Sequence, residues 1–169
     1  MGRFGIELTE RRVPDWYGPP QDVLGELSQF EMGMRRFCFE QNRFVLIRVG
    51  DAVEEVNLFA DFSLLVDELV MDIPRLARGA RIVLAFPESE FDIELEPAGD
   101  QITCRLRRFG ARVESWEAIA GRDEVLEALN GFLVKLLGEA VAQGYIEQAQ
   151  ADAFMAGGTP RPVDGGGQR

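Results

Sequence analysis

The sequence predicts an α+β fold, a two-layer domain in which a mainly antiparallel sheet of about five to seven strands packs against two amphipathic helices. Three observations carry this expectation. Strand-length apolar runs flank tight turn signals, at 43–58 around Gly50-Asp51 and at 91–107 around Pro97-Ala98-Gly99-Asp100. Such short connections join antiparallel neighbours. Two longer segments, 61–73 and 123–141, place apolar residues at the 3.6-residue helical period and so need a sheet face to cover.

The elements are expected in the following order. Residues 3–8 read as a first strand. The stretch RRVPDWYGPPQD, with three prolines and a glycine, forbids regular structure and reads as a stiff loop. Residues 21–31 read as a short helix, and 35–39 and 43–49 as strands, with Gly50-Asp51 turning the chain into a further strand at 53–58. Asp61 is a candidate N-cap for a helix with Phe62, Leu65, Val66, Leu69 and Ile73 on one face, which Pro74 helps to end. Strands follow at 81–86, 91–96, 101–109 and 112–116. From Asp123, Val125, Leu126, Leu129, Phe132, Leu133, Leu136, Leu137, Ala140 and Val141 form the longest helical stripe in the chain, ended by Gly144, and 145–155 reads as a last short helix. Residues 1–156 are expected to form a single acidic domain. Residues 157–169, GGTPRPVDGGGQR, have almost nothing to bury and read as a disordered Gly/Pro-rich tail.

The segment ESEFDIELE, residues 88–96, places an acid at every even position and, from Phe91, a large apolar residue at every odd one. Pairing across a four-residue turn at 97–100 would set Asp92 opposite Arg105 and Glu90 opposite Arg107, with Glu94 facing Thr103 and Glu96 facing Gln101. Phe91, Ile93, Leu95, Ile102, Cys104 and Leu106 would then face inward. A half-buried strand with a solvated face accounts for most of this pattern. Same-face neighbours lie ~6.6–7 Å apart, too far for two carboxylates to chelate one hard cation unaided. An open face countered by arginines also lacks the desolvation that raises a catalytic acid. The remaining use for such acids is a cationic protein partner.

Composition excludes more than it selects. Of 169 residues 46% are hydrophobic, twelve of them Phe, ample for a core. The formal net charge is -11 and the isoelectric point about 4.5, a field that repels nucleic acids and anionic lipid surfaces. With no histidine, Ser-His-Asp and Cys-His nucleophilic systems and HExxH zinc sites are ruled out. The sole lysine, Lys135, lies inside a helical stripe, so there is no Walker A loop, and no GxGxxG, GxSxG, SxxK or EF-hand loop occurs. Cys38 and Cys104 fit no metal spacing and read as core thiols, although Arg35 and Arg36 stand near the first. No catalytic residue, metal site or cofactor is therefore expected, and the protein is expected not to be an enzyme. No apolar run reaches the ~20 residues of a membrane span and the start has no secretory h-region, so a cytoplasmic location is expected. One lysine among many arginines, with abundant Ala and Gly, suggests a GC-rich bacterial source.

Two features could mark a binding surface. On the 61–73 helix, Leu64 and Met71 fall opposite the buried face with Asp67 and Glu68 beside them, two apolar side chains ringed by acids. Such a helix could equally be covered on both sides. Trp16 and Tyr17 in the proline-rich loop could be rigid aromatic anchors, or could fold back as a core plug. With Glu94 and Glu96, which lack an arginine opposite them in the expected register, these are the candidate partner contacts. The class expected is a non-enzymatic protein-binding module, in particular a bacterial immunity or antitoxin-like protein that neutralises a basic partner. The alternatives are a secretion chaperone or adaptor, and a small enzyme or ligand binder built on carboxylates and arginine. The oligomeric state is not legible in the sequence.

Overall fold

The structure is a computed structural model that describes residues 3–12, 21–22 and 24–157, the side chains of 61–64 excepted. It is an α+β fold with seven strands among the described residues. They form two antiparallel sheets where the sequence suggested one. The first has the order β1-β2-β3: β1 (Phe4–Leu8), β2 (Phe44–Val49) and β3 (Ala52–Asn57). The second is the meander β4-β5-β6-β7: β4 (Ile82–Phe86), β5 (Phe91–Ala98), β6 (Gln101–Arg108) and β7 (Glu114–Gly121). The division has a physical cause. Between β3 and β4 the chain runs through a π-helical turn, Leu58–Phe62, and the helix α2, Ser63–Ala77, so the second set of hairpins starts afresh rather than extending the first. Side chains tie the sheets together: Arg108 pairs with Glu54, and Arg3 Nη1 donates to the Ile119 carbonyl oxygen at 3.2 Å. Both inner faces contribute to one continuous apolar core.

Residues 29–41 correct the sequence expectation. Where a helix at 21–31 and a strand at 35–39 were expected, Gln29–Gln41 forms one helix, α1. Phe37 and Cys38 are neighbours and both fully buried, which an alternating strand cannot achieve; with Phe30 and Met34 they lie on one helical face. Ser28 caps the helix in a reciprocal box, its hydroxyl accepting from Glu31 N at 3.2 Å while the Glu31 carboxylate accepts from Ser28 N at 2.6 Å. Gly33 lets α1 approach the chain at Tyr145 so closely that a Cβ there would lie 2.3 Å from the Tyr145 carbonyl oxygen.

Asn57 serves the start of the π-helical turn that leads into α2, its Oδ1 accepting from Phe59 N at 2.9 Å and Ala60 N at 3.0 Å, while the side chain of Asp61, the expected cap, lies outside what the structure describes. Pro74 lies inside α2 rather than ending it; the stop comes at Gly79, φ 91°, where Ala80 N donates to the Arg75 carbonyl at 3.0 Å. The long stripe forms α3, Arg122–Ala142, burying Val125, Leu129, Phe132, Leu133, Leu136, Leu137 and Ala140. A short α4, Gln148–Met155, closes the described chain, with Phe154 stacked on Phe30 at 4.8 Å. The expected tail falls, beyond Gly157, outside the described residues. Among the described residues no helix is long and apolar enough to cross a membrane.

Candidate functional site

The β5–β6 hairpin decides what the acidic comb can do. The two segments pair, and Phe91, Ile93, Leu95, Ile102, Cys104 and Leu106 are all buried. The register, however, is two residues away from the expected one. Asp92 faces Arg107, Glu94 faces Arg105 and Glu96 faces Thr103. The strands run on through Pro97 and Ala98 to a two-residue turn, Gly99-Asp100, in which Gly99 takes φ 65°. A slip of two preserves the faces but changes every charge partner. Glu90 leaves the ladder altogether: it ends a short 3-10 turn, Pro87–Ser89, in the left-handed conformation at φ 56°.

The strand acids that remain are largely neutralised. Glu94 is 5% exposed, with one carboxylate oxygen on Arg81 and the other 2.7 Å from Arg105 Nη1. The hydrogen bond from Arg81 holds its carboxyl below the ordinary range, outweighing the opposite effect of desolvation, so it stays a carboxylate and is no general acid. Arg105 continues across the face to Glu117 at 2.8 Å. Arg107 grips Asp92 with two bonds, at 3.1 and 2.9 Å. Glu96 is exposed and, among the described residues, makes no ion pair.

The helical face is different. Asp67 and Glu68 are exposed on α2 and Met71, one turn beyond Asp67, is 56% exposed. Asp67 borders a notch of about 60 Å³ between α2 and α1, lined by Phe30, Glu31, Met34, Arg35, Cys38 and Val66 as well. That volume is roughly two waters' share of liquid, far below the ~300 Å³ at which small-molecule pockets begin, so it can take the tip of a side chain and no more. Desolvation, then the neighbouring Glu31 charge, raise the Asp67 carboxyl above its ordinary range, while Arg35 acts in the opposite sense. Cys38 forms part of the floor; burial pushes its thiol up to about 12, so it is no nucleophile. No group of three or more His, Cys, Asp or Glu able to hold a metal occurs among the described residues.

Of the candidate contacts, Asp67, Glu68 and Met71 lie together. Glu94 and Glu96 belong to another face. The side chain of Leu64, and both Trp16 and Tyr17, lie outside what the structure describes. Sequence reasoning missed the α1 half of the notch, Phe30, Glu31, Met34 and Arg35, because it read part of that segment as a strand. The signal was present: Ser28-x-x-Glu31 is a capping-box pattern, and Phe30, Met34, Phe37 and Cys38 have helical spacing. Comparison of the chain with protein-family models, curated proteins and solved structures returns no match.

Proposed function

We propose that this protein is a non-enzymatic binding module that captures a basic protein partner, in the manner of a bacterial immunity or antitoxin-like protein. The observation that carries the reading is the notch between α1 and α2, bordered by Glu31 and Asp67 with Arg35 beside them. Its apolar floor, the partly desolvated carboxylate of Asp67 and the nearby exposed Met71 combine a cation acceptor with an apolar contact on one face. A net charge of -11 adds long-range attraction for a partner of opposite sign. The arginines of the sheet are engaged with carboxylates of the same face, so that face adds little positive field to oppose it.

The test is affinity after capture. Once a partner has been isolated on immobilised protein and identified, calorimetry should show that Met71→Ala weakens the complex by about 1–2 kcal/mol, the range of an interface anchor. Glu117→Gln, on the sheet face, should leave affinity unchanged. If the two variants bind alike, the α1–α2 face is not the contact surface.

A further inference from the structure

The β4–β5 corner carries a second concavity, built by elements other than those of the helical notch. Its volume is about 330 Å³, and its lining is Ala85, Phe86, Pro87, Phe91, Phe109 and Gly110, with the acids Glu90 and Asp92. The floor is rigid: Phe86 and Phe91 are buried and stacked at 4.6 Å. Phe109 stands at the rim, 43% exposed, and its backbone N–H donates to the Glu90 carbonyl at 2.7 Å, so the two rim residues are held to one another. The lining contains no cation. Asp92 is already paired with Arg107, whose guanidinium lies 5.8 Å from the centroid of the Phe109 ring, while Glu90 is exposed and, among the described residues, makes no ion pair.

The backbone at Glu90 supplies an independent indication. At φ 56° and ψ 39° it occupies the left-handed region, which costs a residue with a Cβ roughly 1–2 kcal/mol and glycine almost nothing. A carboxylate therefore stands where the backbone alone favours glycine, at the edge of an apolar hollow. Strain of this kind clusters at binding sites.

We infer that this corner docks an extended basic segment of a partner protein, one large apolar side chain entering the hollow against Phe109 while an adjacent arginine or lysine meets Glu90. The volume, at the low end of the ~300–1,000 Å³ of ligand sites, suits one large side chain, and the unopposed acid at its rim selects a cationic neighbour over an anionic one.

The probe is the capped tripeptide acetyl-Arg-Phe-Arg-amide, titrated into isotope-labelled full-length protein and followed by amide chemical shifts. The expected result is a saturable set of shifts at Ala85, Phe109 and Gly110, with acetyl-Glu-Phe-Glu-amide binding roughly tenfold or more weakly, a difference of about 1.4 kcal/mol. Phe109→Ala should remove the shifts. Glu90→Gly, which relaxes the backbone while deleting the carboxylate, should stay folded and bind the basic peptide severalfold more weakly. Asp67→Asn with Glu68→Gln should leave the shifts at Ala85, Phe109 and Gly110 unchanged, which separates this site from the helical notch. An absence of shifts at millimolar peptide, or equal binding of the two peptides, would overturn the assignment.

Discussion

Gly33 and Asp67 show how single positions shape the α1–α2 face. At Gly33 an added methyl would meet backbone, the Tyr145 carbonyl oxygen at 2.3 Å, and also Ile146 Cγ2 at 2.8 Å. Backbone cannot swing aside as a flexible side chain would. Gly33→Ala should therefore destabilise the fold by about 1–3 kcal/mol, read as a lower denaturant midpoint, even though alanine is the better helix former. Asp67 acts in the opposite direction. Its folded-state carboxyl lies above the ordinary value of 3.8, so the folded protein binds its proton more readily than the unfolded chain does. The penalty is complete above the folded value and disappears as pH falls below the unfolded one. Asp67→Asn should raise the urea midpoint at neutral pH, and the difference from wild type should shrink as pH descends through the carboxylate range. A difference that grew on acidification would contradict the cause assigned to the shift.

At the scale of elements, the β5–β6 hairpin separates acids that look alike in the sequence. Glu94 lies between two arginines with its carboxylate buried, whereas Glu96, two residues on, is exposed opposite Thr103. Glu94→Gln should cost about 1–3 kcal/mol, the range for removing a charged hydrogen-bond partner. Glu96→Gln should stay within about 0.5 kcal/mol of wild type. Equal midpoints for the two would mean that the arginine ladder adds nothing to stability. The hairpin also shows what could be read in advance. Alternation specified which residues face inward, because the pleat has a period of two. The charge partners depended on turn length, and a proline inside the strand concealed the two-residue turn. The stripe of α3 was legible because nearly six turns of apolar spacing admit no other reading, while α1 was read in part as a strand because Phe37, Cys38 and Phe39 form a short apolar run that suits either element, although the capping box and the spacing of Phe30, Met34, Phe37 and Cys38 pointed to a helix. The separation into two sheets has no local signature. It follows from where α2 sends the chain.

For the whole molecule, the proposal of a basic partner rests on a net charge of -11 and on sheet arginines that are paired with carboxylates of their own face. Glycine and proline in 158–169 offer no apolar period, so a chain ending at Gly157 should melt within about a degree of the full chain. Electrostatic attraction acts on association, and apolar packing on dissociation. Met71→Ala should thus speed dissociation of the captured partner roughly 5–30-fold, the kinetic equivalent of about 1–2 kcal/mol, with little change in association. The most direct measurement is the association rate of that partner, by stopped flow, against ionic strength, for wild type and for Asp67→Asn with Glu68→Gln. The rate for wild type should fall as the Debye length contracts from ~10 Å at 0.1 M salt to ~3 Å at 1 M, and the double variant should start slower and respond less steeply. Association rates indifferent to both salt and the substitutions would contradict capture of a basic partner by this face.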